Sequence, residues 1–156
     1  MSCAPTILTS VVTGPQSRTY FRIGTDTPTV GFTAFHNAVN QPMVIIEWAK
    51  HPIVEVRDIL SKRLTSQWLA LSPDRTHRTM EARGRHFVWV PSDGALSDVD
   101  CPQLYSSGSS PSQIFGRVSR EEDTVTLELT TEAIQIGLLE LCVTATFLLQ
   151  CGRDID

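Results

Sequence analysis

Eight cations stand between Lys50 and Arg85, namely Lys50, Arg57, Lys62, Arg63, Arg75, Arg78, Arg83 and Arg85, against four carboxylates, Glu55, Asp58, Asp74 and Glu81. The segment after Pro91 is mostly acidic, and the whole chain carries a formal charge of −4. A guanidinium is a planar fork of N–H donors that matches phosphate oxygens, and a lysine adds a compact point charge. Lys62, Arg63, Arg75, Arg78, Arg83 and Arg85 are therefore the candidate anion-binding residues, for anionic lipid, phosphate or nucleic acid. The competing reading makes them the solvated outer faces of strands.

Other chemistry finds less support. His36, His51, His77 and His86 lie in separate elements with no i, i+4 pair and no HExxH, whereas zinc needs three or four N or S ligands to converge. Cys101 with His77 and His86 is the combination to weigh, and its spacing does not favour it, so no bound metal is expected. Ser107 and Ser109 sit in a Ser-Gly run without a GxSxG elbow, and Cys101 has no histidine near it in sequence. With no P-loop, no GxGxxG turn and no paired acid and base carboxylates, a non-catalytic protein without a cofactor is expected. Trp48, Trp68 and Trp89 could stack on bases beside the basic segment. Each lies in an apolar strand, where an indole packs the core and seeks a partner for its N–H, so nucleic acid is not an expected partner.

The elements that must hold these residues are short and strand-like. Alternation and turn residues mark Thr19–Ile23, Thr29–Phe35, Pro42–Trp48, Ile53–Ile59, Gln67–Leu71, Thr79–Ala82 and Arg85–Val90. Phe87 and Trp89 should face opposite to His86 and Val88, and Gly84 should close a tight hairpin. Further strands are expected at Gln113–Val118 and Thr124–Leu129, with Leu104 and Tyr105 as a short one. Residues 1–17 hold Ile7, Leu8, Val11 and Val12, enough for an edge strand.

One segment differs. Thr131 to Cys151 is apolar on every side of a 3.6-residue wheel, so no single stripe can bury it. Its length suits a membrane span, yet Glu140 would sit near the hydrocarbon centre at a cost of roughly 2.5 to 3.5 kcal/mol. A buried helix is expected instead, capped by Thr130 or Thr131 and stopped at Gly152. Nine or ten strands followed by one such helix suggest an antiparallel sheet closed around it, which removes exposed edges.

The 156 residues suit a single domain, 41% hydrophobic and 19% charged, which excludes a disordered or fibrous chain. Cys3, Cys101, Cys142 and Cys151 make no disulfide framework; Cys142 and Cys151 would stand about 13 Å apart on one helix. They read as free thiols in a reducing compartment. MSCAPTILTSVVTG lacks a basic start and a long apolar stretch. An intracellular, cytoplasmic location follows as the expectation.

The stretch from Val44 to Pro91, VIIEWAKHPIVEVRDILSKRLTSQWLALSPDRTHRTMEARGRHFVWVP, with the terminal VTLELTTEAIQIGLLELCVTATFLLQCGRDID, resembles a group of uncharacterised fungal proteins of tubby-like type. The likeness covers about two-thirds of the chain and departs from the group at Ala49, where a histidine is expected. It implies kinship with the tubby, scramblase and LURP-one folds, in which a twelve-stranded barrel encloses a C-terminal hydrophobic helix. The expected fold is thus mostly β: a closed antiparallel barrel of about ten to twelve strands around a buried C-terminal helix, one domain over residues 1–156. Tubby relatives bind phosphoinositide headgroups through basic residues, which implies a lipid-binding role here; no ligand residue carries over by alignment. The alternative function is a protein-interaction or oligomerisation module, using apolar surface around Ile7 to Val12 and Leu104.

Overall fold

The computed structural model describes residues 10–14, 18–25, 31–91, 102–107, 113–121, 124–150 and 155–156. Among the described residues the chain runs β1 (Ser10–Thr13), β2 (Thr19–Thr25), β3 (Phe32–His36), β4 (Pro42–Glu47), β5 (Ile53–Val56) and β6 (Leu60–Leu64). A helical turn, α1 (Thr65–Trp68), leads to β7 (Leu69–Leu71), β8 (Arg78–Ala82), β9 (Arg85–Pro91), β10 (Pro102–Ser106), β11 (Ile114–Glu121) and β12 (Thr124–Leu129). Two helices, α2 (Thr131–Gln135) and α3 (Leu139–Gln150), follow.

Each strand pairs antiparallel with its sequence neighbour, in one sheet from β1 to β6 and another from β7 to β12. The chain divides into two compact units: Gln67–Thr146 form one, and the described residues up to Ser66 with those from Phe147 onward form the other. This overturns the expected closed barrel. β1 and β6 are the edges of the first sheet, β7 and β12 of the second, so neither ladder closes. The break falls where Thr65–Trp68 coil into a helical turn between β6 and β7. The Thr65 N–H still reaches the Pro52 carbonyl at 2.9 Å, next to the last β5–β6 pair, and the helical turn that follows does not extend the ladder as a hairpin would.

The expected single helix from Thr131 is also divided. Thr130 caps α2, its Oγ1 accepting from the Ala133 N–H at 3.1 Å. Ile136 ends it, and Gly137 takes φ +84°, a left-handed conformation that glycine adopts without a Cβ penalty. α3 therefore has only 12 residues, about 18 Å of helix. Leu141 to Leu148 are buried without interruption, whereas Ile134 in α2 is 47% exposed, so the apolar run is buried along α3 and not over its whole length. No helix among the described residues is long and apolar enough to cross a membrane.

In the first unit, alternation puts Phe21, Ile23, Phe35, Val44, Ile46, Val54 and Val56 on the buried face. The Phe147 ring meets Phe35 edge-on, centroids 5.2 Å apart at 81°, and lies 6.5 Å from Trp48. The Trp48 indole donates to Thr33 Oγ1 at 2.7 Å. In the second unit Met80, Phe87, Trp89, Leu104, Phe115 and Val118 are the buried set, with Phe87 and Phe115 edge-on at 5.3 Å. The Trp68 indole donates to the Glu81 carbonyl at 3.0 Å, and that of Trp89 contacts Met80 Sδ at 3.4 Å. All three indoles are core side chains with polar partners, and none can stack on a base. Leu104, expected as uncovered apolar surface, is fully buried; Ile7 lies outside the described residues.

Candidate anion-binding site

The six candidate cations are divided between the units, Lys62 and Arg63 in the first and the four arginines in the second. Lys62 and Arg63 are neighbours in β6, and successive strand residues point to opposite faces. Lys62 is exposed and pairs with Glu47 Oε2 at 3.7 Å. Arg63 stands opposite the buried Val54 and donates to Ser61 Oγ at 3.5 Å. Adjacent charges in sequence thus make no pair of donors for one ligand.

In the second unit the arginines sit at the two ends of β8. Arg75 occupies the β7–β8 turn, in the left-handed region at φ 62°. Arg78 begins β8, its Nη1 donating to the Leu69 carbonyl at 2.9 Å. Arg83 and Arg85 flank Gly84 at the other end, five residues from Arg78 to Arg83, or about 17 Å along an extended strand. One ligand headgroup cannot touch both ends.

The β7–β8 turn is knit by its own side chains. The Asp74 carboxylate accepts from Ser72 Oγ at 2.6 Å, from Thr76 Oγ1 at 2.7 Å and from the Thr76 N–H at 3.2 Å. These bonds, that from Ser72 foremost, lower its pKa from 3.8 to about 2. A carboxyl depressed in the folded state adds stability that is complete above its unfolded value and is lost as pH falls from about 4 through about 2. Carbon-detected NMR should place the Asp74 midpoint near 2, and Ser72→Ala should move it up toward 3.8.

The β8–β9 turn is built differently. Ala82 pairs with Arg85, leaving Arg83 and Gly84 as a two-residue loop with φ 53° and 75°. Two positive φ values are what a type I′ hairpin needs, and Gly84 meets nothing where a Cβ would stand. Arg83, with a Cβ, occupies that region at a cost of about 1–2 kcal/mol. Its Nε donates to the Gly137 carbonyl at 3.2 Å, tying the hairpin to the turn between α2 and α3. A Cβ on Gly137 would stand 3.1–3.3 Å from the Arg83 guanidinium. Gly137→Ala, strained at φ +84° as well, should lower unfolding free energy by about 1 kcal/mol in a denaturant titration.

Arg85 shares a face with Phe87, and its Cζ lies 5.9 Å from the ring centroids of both Phe87 and Phe115. The aromatic faces hold the cation by attraction to their quadrupoles. Arg83 and Arg85 are both exposed, and among the described residues neither pairs with a carboxylate. The structure thus presents two exposed, positioned guanidiniums at one turn. Phe87 and Phe115 were expected in strands, but nothing in the sequence linked them or Gly137 to the two arginines.

Of the nucleophile candidates, Ser107 is exposed just past β10, its N–H donating to the His86 carbonyl at 3.0 Å. Burial pushes the Cys142 thiol up to about 12, the Glu140 carboxylate adding to it, so this thiol stays protonated. Cys3, Cys101, Ser109 and Cys151 lie outside the described residues. No family model, curated protein or solved structure matches the chain.

Proposed function

We propose that this chain is a non-catalytic, intracellular binding domain that takes an anionic lipid headgroup at the β8–β9 turn through Arg83 and Arg85. Kinship with the fungal tubby-like group is part of the proposal and rests on the two sequence stretches that carry the likeness. The observation behind the site is the pair of guanidiniums flanking Gly84, one tied to the Gly137 carbonyl and one lying over two phenylalanine rings. Donors already held in place lose less freedom when a ligand arrives. Arg75, exposed in the β7–β8 turn, adds to the general field of the same unit. Lys62, Arg63 and Arg78 are committed to contacts of their own, and Lys62 and Arg63 belong to the other unit. Cys142 is a free, buried thiol. Sedimentation with vesicles of neutral lipid, with and without a phosphoinositide, tests the reading: binding should require the anionic lipid and weaken with salt. Equal binding to both vesicles, or none to either, would remove it.

A further inference from the structure

The first sheet buries one face, and its other face carries exposed apolar side chains among charged ones such as Arg22, Glu47 and Glu55. Opposite its buried face stand Val11, 55% exposed, Phe32, 49% exposed, and Ile45, 37% exposed, three of the six large hydrophobics exposed among the described residues. Cross-strand pairing aligns Gly24, Ala34, Ile45 and Glu55 in one row over β2, β3, β4 and β5. A Cβ on Gly24 would meet nothing. The row therefore reads small, small, large, charged. Arg22 lies on β2, two residues before Gly24 and on the same face, about 7 Å along the strand. Arg22 and Glu55 are exposed, and no carboxylate of the described residues pairs with Arg22.

We propose that this face docks onto a second copy of the chain, as an aligned sheet-on-sheet dimer. A two-fold axis in the interface, parallel to the strands and between β3 and β4, lays β3 over the partner's β4 and β2 over the partner's β5. Ile45 of each copy then enters the shallow place left by Ala34 of the other, large side chain into small. Glu55 of each copy lands above Gly24 of the other, within an arginine's reach of Arg22, so the same ion pair forms twice. This is the self-complementarity an isologous interface demands, at the spacing and angle of packed sheets. The patch spans four strands, about 15 Å across, well short of a permanent interface. The association is accordingly weak and reversible. It goes beyond the lipid-binding reading and uses neither Arg83 nor Arg85.

Sedimentation equilibrium from about 10 μM to about 1 mM reads it directly, the expected result being a rise in mass from the 17.3 kDa chain toward the dimer. Ile45→Lys, on an exposed position, should hold the chain at monomer with its circular dichroism unchanged. Arg22→Glu and Glu55→Arg should each weaken self-association about tenfold, since each sets two like-charged contacts face to face. Mixing those two variants should restore association, because every mixed contact joins opposite charges. A monomer throughout the range overturns the proposal. So does a dimer that Ile45→Lys leaves intact, or one that the charge variants weaken without recovery on mixing.

Discussion

Replacing Arg83 and Arg85 together by glutamine lowers affinity for phosphoinositide-containing vesicles about 30-fold. Each basic residue near an anionic surface contributes about 1 kcal/mol, and about 2 kcal/mol corresponds to that factor. Glutamine keeps an unbranched stem and a hydrogen-bonding end but is shorter and uncharged, so the loss reports the guanidinium as a whole, its charge and its reach. Arg117→Gln is the control: Arg117 is an exposed cation of the same sheet, already paired with Glu128 at 3.2 Å, and its loss should leave vesicle binding unchanged. A soluble inositol phosphate should compete with vesicles if the headgroup itself is held, and should fail to compete if only the surface potential attracts the chain. Should the double variant bind as tightly as the parent with its fold intact, the β8–β9 turn is not the site.

The residue pattern made much of this fold legible, and its failures have local causes. Alternation set Phe87 and Trp89 on the face opposite His86 and Val88, which is the buried one, and of the two candidate caps Thr130 is the one used. Ile53–Ile59 looked like one strand because its apolar residues keep the alternation. Asp58 takes φ 63° and turns the chain, so β5 ends at Val56 and β6 begins at Leu60. Trp68 has strand-like composition and still ends a helical turn, because position in the tertiary fold overrides weak local preference. Gly137 offered a usable sign, a glycine inside a helical pattern, but the continuous apolar run around it concealed the break. Closure of a sheet depends on pairing between distant strands and leaves no local mark, which is why the barrel expectation could fail while most strands were found.

The candidate site suffered from the same limit. Six cations close in sequence were taken as one face. A strand alternates its faces and a hairpin sends its two turns to opposite ends, so Lys62 and Arg63 diverge and Arg78 lies a strand's length from Arg83. What survives is the pair that brackets a two-residue turn, since Arg83 in the loop and Arg85 just after it are kept at one end by the turn itself. Positioning partners were invisible for a plain reason: Gly137 and Phe115 are far from Arg83 and Arg85 in sequence, and only the folded chain brings them together.

Truncating Phe147 to alanine has the largest effect expected of any single change, a loss of about 3–5 kcal/mol in unfolding free energy. The ring is 2% exposed and touches two aromatic partners of the same unit, Phe35 edge-on and Trp48 at 6.5 Å. Its removal forfeits the transfer of an aromatic ring from water and leaves a cavity that the stiff sheet around Phe35 and Val44 cannot collapse to fill. Trp48 fluorescence reports the same event, because the indole is held to Thr33 beside the ring that is lost. The edge-on geometry adds a term that area alone omits, about 1 kcal/mol for a well-placed aromatic pair. Phe35→Ala and Phe147→Ala should therefore combine to less than the sum of their separate costs, by about that amount, in a double-mutant cycle. A loss below about 1 kcal/mol for Phe147→Ala would mean that the C-terminal part of α3 does not fill the core of the first unit.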